Sequence, residues 1–144
     1  MAIGALVTWL VTAGFGFFML MRWVSRGGVR GTAGVRTHFP PARVFTHFGL
    51  AAAGLVVWII YVVTDNAALA WLAVADLVVV ALLGGLLARR WAMDGRAAMR
   101  GDSGAAGLDL AEQQIPRSPV VAHGIFAVST LILVLLAALQ VGKG

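Results

Sequence analysis

Two histidines stand where an imidazole is costly to keep without a purpose. His47 lies in Phe39-Pro40-Pro41-Ala42-Arg43-Val44-Phe45-Thr46-His47-Phe48-Gly49-Leu50-Ala51, and His123 in Ile115-Pro116-Arg117-Ser118-Pro119-Val120-Val121-Ala122-His123-Gly124-Ile125-Phe126-Ala127. A gapless shift of 76 positions lays one stretch on the other: Pro40 meets Pro116, Val44 meets Val120, His47 meets His123 and Ala51 meets Ala127. Chance supplies apolar matches readily. A proline seven residues before a histidine at both places is harder to obtain, and the pair is read as a duplication. Each stretch runs into a long apolar segment, and a titratable group inside such a segment is a functional hypothesis by default. Two imidazoles suit zinc, copper or haem iron.

Stoichiometry separates these ligands. A zinc site normally takes three or four protein ligands, yet only His38 remains as a spare histidine and no carboxylate accompanies the pair. A bis-histidine haem needs two protein ligands, because the porphyrin supplies the other four. The helix face carrying each histidine is read at i+3, i+4 and i+7. It offers Leu50, Ala51 and Gly54 on one helix, and Phe126, Ala127 and Thr130 on the other. Small side chains below each histidine would leave a flat gap of the kind a porphyrin plane occupies. Arg43 and Arg117 are placed to meet haem propionates, although setting the membrane orientation accounts for such arginines equally well. The plain reading also stands: small residues let helices pack closely without any ligand, and a histidine near the membrane boundary can simply bond a carbonyl or a headgroup.

Asp76 is the third polar group within an apolar run, about 15 Å from the start of its helix at 1.5 Å per residue. Its functional readings are a proton relay, a partner for a quinol hydroxyl or a cation site. The plain reading is a protonated acid bonded to Thr8, Thr12, Thr130 or a backbone carbonyl.

The elements that must position these groups follow from composition. Of 144 residues, 60% are hydrophobic and 12% charged, against about 25% charged in an ordinary soluble domain. Four runs, at about 3–24, 44–63, 67–88 and 120–141, are long enough to cross a hydrocarbon core of roughly 30 Å. The opening Met1-Ala2-Ile3-Gly4 carries no positive side chain, so the first run reads as a span and not as a cleavable leader. The chain has no cysteine, which excludes disulfides, thiolate metal sites, iron–sulfur clusters and covalent haem attachment. Its net charge of +5 is concentrated in two loops, 25–42 and 89–119, and so bears on topology and not on nucleic acid. That asymmetry predicts a multi-pass cell-membrane protein with both loops cytoplasmic and both termini outside.

Only Thr64-Asp65-Asn66 and its neighbours separate the second and third runs, which predicts a tight hairpin. Trp9, Trp71, Trp23 and Trp91 fall near run ends, as in an aromatic belt. Arg22-Trp23 and Arg90-Trp91 echo each other at the ends of the first and third runs. Glycines at Arg26-Gly27-Gly28 and Gly101-Asp102-Ser103-Gly104 mark turns, and 108–114 suggests a short interfacial helix. The expected fold is all-α: a single integral-membrane four-helix bundle spanning 1–144. It is built as a tandem repeat of a two-helix unit about a pseudo-two-fold axis along the membrane normal.

With histidines on its second and fourth helices, this arrangement resembles b-type membrane cytochromes, including cytochrome b and cytochrome b561 relatives. The resemblance covers the bundle and the positions His47 and His123. It implies haem b, electron transfer, and exchange with quinol or with a larger respiratory or reductase complex. Those families commonly stack two haems, with a second histidine deep on the same helices; this chain has none, so one haem near the cytoplasmic leaflet is implied. The competing expectation is a haem-free accessory subunit or small transporter, with the histidines and Asp76 as packing or proton-binding groups. Four-helix drug/proton antiporters depend on a carboxylate in the first helix, and this chain has none there. No catalytic nucleophile, phosphate-binding glycine loop or flavin motif is present.

Overall fold

A computed structural model describes residues 1–30, 35–101 and 109–139. Four helices make the bundle: α1 (Ala2–Ser25), α2 (Pro41–Thr64), α3 (Ala67–Arg100) and α4 (Arg117–Ala138). All four are long and apolar enough to cross a membrane. The apolar windows of the spans bury only about a fifth of their residues against one another. The remainder, such as Ile3, Phe17, Val56, Leu82, Ile125 and Val128, presents large apolar side chains outward. In water this would be an enormous sticky surface, but in lipid it is the solvated face. The protein is an all-α, four-helix membrane bundle.

Local sequence sets the helix ends. Pro41 opens α2, where its missing N–H costs nothing, and Pro40 and Pro116 are the extended N-cap residues of α2 and α4. The α2–α3 hairpin is as tight as the sequence predicts. Asp65 takes a left-handed conformation (φ 53°), and the Asn66 side chain caps α3 by accepting from the Ala68 N–H at 3.0 Å. Gly101 closes α3 at φ 69°, a region glycine enters without strain.

Three expectations change. α3 does not stop near 88 but continues to Arg100, because 89–100 is rich in alanine, arginine and methionine, all good helix formers. At 34 residues it is about 51 Å long, well beyond a roughly 30 Å hydrocarbon core. The stretch expected as an interfacial helix over 108–114 is instead a short strand, β2 (Asp109–Leu110), followed by one 3₁₀ turn (Ala111–Gln114). β2 pairs in parallel with β1 (Val35–Arg36). Two of the belt tryptophans, Trp9 and Trp23, are 2% and 1% exposed and belong to the core, whereas Trp71 does face outward. Residues 102–104 of the expected turn, position 108 of that interfacial helix, and positions 140–141 of the expected fourth span lie outside the described residues.

Packing divides the bundle into two halves. Away from the long loops, Trp9, Trp58 and Tyr61 stack among Ala5, Ala70, Ala73, Leu77 and Val134, and the Trp58 indole donates to the Ala2 carbonyl. Towards the loops, Trp23 packs with Ala111 and Ile115 beneath a polar cap. Gly28 lies flat against the Trp23 ring, leaving no room for a Cβ. The two tryptophans echoed in the sequence act alike. Trp23 Nε1 donates to Thr37 and Trp91 Nε1 to the Glu112 carbonyl, each holding one of the long loops against the bundle.

Candidate functional site

α1 packs most extensively on α4, and α2 on α3. His47 of α2 and His123 of α4 meet across the seam between these two pairs, with ring centroids 6.3 Å apart and planes inclined at 65°. The helices predicted from the 76-residue shift thus bring their histidines together and not to opposite faces.

Both rings are held in the same way. Nδ1 of His47 lies 3.0 Å from the Val80 carbonyl oxygen on α3, and Nδ1 of His123 lies 3.0 Å from the Thr12 carbonyl oxygen on α1. A carbonyl oxygen only accepts, so each Nδ1 carries the proton and donates it. The neutral ring then keeps a lone pair on Nε2. Among the described residues neither Nε2 has a hydrogen-bond partner.

Glycine makes these contacts possible. A helical carbonyl at position i already accepts the N–H of residue i+4, whose side chain overhangs it. Four residues after Val80 comes Gly84, and four after Thr12 comes Gly16. A Cβ at Gly84 would stand 2.9 Å from His47 Cε1, and one at Gly16 would stand 3.1 Å from His123 Cε1. Both glycines therefore open a carbonyl to an imidazole from the neighbouring helix. Thr12, Gly16 and Arg22-Trp23 relate to Val80, Gly84 and Arg90-Trp91 by one constant shift of 68 positions. The sequence reading did not single out Gly16 or Gly84. The available signal was a glycine deep in an apolar helix, which normally has a packing reason.

The ring separation bears on what could sit between the imidazoles. Two metal–nitrogen bonds of about 2 Å, with about 1 Å from each nitrogen to its ring centre, sum to about 6 Å when the rings approach one ion from opposite sides. A tetrahedral angle would bring the centres to about 5 Å. The observed 6.3 Å is close to the longer of these separations, with the ring planes inclined at 65°. The one group of three or more metal-ligating side chains found among the described residues is elsewhere, in the cap, so no third protein ligand joins this pair. Two imidazoles this close, with no third His, Cys, Asp or Glu grouped with them among the described residues, would suit a group that brings its own equatorial donors, as a porphyrin does.

Other expected site residues divide. Ala51 and Ala127, one turn from the histidines, are half-buried. Gly54 and Thr130 are buried but do not wall a gap. The Asp76 carboxyl lies against Gly54, where a Cβ would also stand 3.2 Å from Trp9, and the Thr130 hydroxyl bonds the Phe126 carbonyl and faces Thr12 at 3.4 Å. Two turns of helix had already carried these positions past the imidazoles. Arg43 is half-buried at the loop end of α2. Arg117 is exposed, its guanidinium 3.8 Å from the Met99 sulfur.

Asp76 differs from its plain reading. The hydroxyls of Thr8, Thr12 and Thr130 are committed to carbonyls within their own helices, and Asp76 Oδ2 is buried without a hydrogen-bond partner. It stands one turn from Val80, on the helix that anchors His47.

The fold and the site together define a class: a four-helix membrane protein with a pair of inward-facing, carbonyl-anchored histidines. Neither family models, curated proteins nor solved structures give a match to the chain.

Proposed function

We propose that this chain is a small b-type cytochrome of the membrane, holding one haem between His47 and His123. The observation that carries the reading is the pair of identically anchored imidazoles at 6.3 Å, each with no Nε2 hydrogen-bond partner among the described residues. Anchoring Nδ1 on a carbonyl fixes tautomer and ring orientation and makes Nε2 a better donor, which is the usual support for a metal-bound histidine. When bound, the haem would supply a low-spin iron that exchanges single electrons, with no open position for oxygen. His47 and His123 would hold the haem, and Arg43 and Arg117, at the loop ends of α2 and α4, would be offered to its propionates. Ala51 and Ala127 sit beside the ligands.

On this reading the electron partner is quinol or a larger respiratory or reductase complex. A shallow, open apolar surface lined by Val11, Phe15, Phe18, Pro119 and Ala122 lies between α1 and α4, where an apolar partner could approach. Asp76 is a secondary candidate for the accompanying proton. The arginine bias favours the cell membrane with both termini outside, which puts the site nearer the cytoplasmic leaflet. The constant shifts of 76 and 68 positions favour descent from a duplicated two-helix unit.

The test is the visible spectrum of the purified protein, as isolated and after hemin addition. A split α/β band pattern on reduction is expected in the wild type. Its loss is expected in His47→Ala and His123→Ala, each checked for folding by helical circular dichroism. A folded wild type that takes up no hemin would refute the haem and leave the accessory-subunit reading.

A further inference from the structure

The cap holds a second set of ligating groups that the histidine pair does not use. His38 follows β1, Asp94 lies on the loop-side extension of α3, and Glu112 lies in the 3₁₀ turn before α4. One ligating atom from each lies within 4.8 Å of the others. The Glu112 side chain is fully buried and the Asp94 side chain is 10% exposed.

Two features of this cluster suit a cation ligand. Burying a carboxylate is expensive unless positive charge compensates it. Among the described residues, the donors to Glu112 are neutral: the Thr37 hydroxyl at 2.8 Å on Oε2 and the His38 backbone N–H at 2.7 Å on Oε1. The nearby arginine, Arg90, serves Asp94 instead, with Nε 3.2 Å from Oδ2, and its side chain is 46% exposed. The second feature is His38 Nδ1. It is buried and has no hydrogen-bond partner, although Asp94 Oδ2 is only 3.1 Å away, so the oxygen lies off the line on which the ring nitrogen would donate. Two ligands of one ion show this offset. With bonds of about 2.1 Å at a tetrahedral angle, nitrogen and oxygen stand about 3.4 Å apart and the oxygen lies roughly 35° off the lone-pair axis.

We propose that His38, Asp94 and Glu112 form a divalent-cation site of the zinc class that clasps the two long loops to the end of α3. An imidazole nitrogen and two carboxylate oxygens are a normal zinc donor set, with solvent completing the shell. The three ligands come from three separate segments, so the ion would cross-link the cap. Its role is structural, and it is independent of any haem at His47 and His123.

Titration of zinc chloride into tag-free, chelator-treated full-length protein in detergent tests the site, read by calorimetry and by the thermal unfolding midpoint. The wild type is expected to bind one zinc through the cap and to unfold at higher temperature with it. His38→Ala leaves the backbone N–H contact to Glu112 in place. It should weaken zinc binding by at least about 10- to 100-fold, the loss that follows removal of even an outer-shell partner, and should abolish the thermal shift. Asp94→Asn should behave alike. Wild-type protein binding zinc no more tightly than His38→Ala would overturn the site, as would equal thermal shifts in the two. Both readings concern zinc alone, so either outcome is distinct from success or failure of the haem spectrum.

Discussion

The most demanding consequence of the histidine geometry is that one methyl group should disturb it. Gly84→Ala places a Cβ 2.9 Å from His47 Cε1, closer than carbon atoms tolerate, so the ring must move. It has little freedom, because Nδ1 is bonded to the Val80 carbonyl directly beneath the new methyl. Overpacking of this kind costs about 1–3 kcal/mol, and losing the Nδ1–H bond adds about 1 kcal/mol. Replacing a helical glycine by alanine returns about 1 kcal/mol of propensity. The net expectation is a destabilisation of about 1–3 kcal/mol. Gly85→Ala, the next residue on the same helix, is the internal control. Its Cβ meets nothing within 4 Å, so only the propensity gain applies. The two variants should therefore differ by about 2–4 kcal/mol in unfolding free energy, measured by titrating the purified protein from a mild detergent into a denaturing one. Gly16→Ala, at 3.1 Å from His123, should fall between them. Equal unfolding midpoints for Gly84→Ala and Gly85→Ala would refute the argument that these glycines exist to admit the imidazoles, whatever the histidines bind.

Two further predictions use other parts of the molecule. Gly54→Ala should clash with the Asp76 carboxyl, and Asp76→Ala in the same chain should relieve it. A double-mutant cycle on unfolding free energy should give a coupling of about 1–3 kcal/mol, and additive effects would show that the two do not touch. The chain lacks cysteine, so Met99→Cys at the exposed end of α3 reports topology directly. Labelling by an impermeant maleimide is expected only after the cells are opened, and labelling of intact cells would reverse the orientation.

What the sequence determined by itself was set by composition and periodicity. Four apolar runs must become four helices in lipid, since no other open structure satisfies its backbone there. The proline-to-histidine spacing put His47 and His123 at matching places on helices of matching direction. The short Asp65-Asn66 link forced a hairpin. These are signals of residue type, legible without coordinates.

Tertiary structure decided what each side chain touches. The histidine anchors are the carbonyls of Thr12 and Val80, and every residue has a carbonyl, so no residue type advertises that role. Gly16 and Gly84 became meaningful only once a neighbouring helix was known to press on them. Gly54 and Thr130 are small residues on the histidine faces of their helices, yet they face Asp76 and Thr12, because one-helix periodicity names a face but not its partner. Trp9 and Trp23 sit near span ends, where lipid interfaces attract tryptophan, yet helix packing turned both inward. The cap is the clearest case. His38, Asp94 and Glu112 are far apart in the chain and read as ordinary loop polarity, and only the long extension of α3 and the folding-back of both loops make them neighbours. Contacts between distant segments depend on how whole helices dock, and that is a property of the packed bundle, which no local stretch of residues encodes.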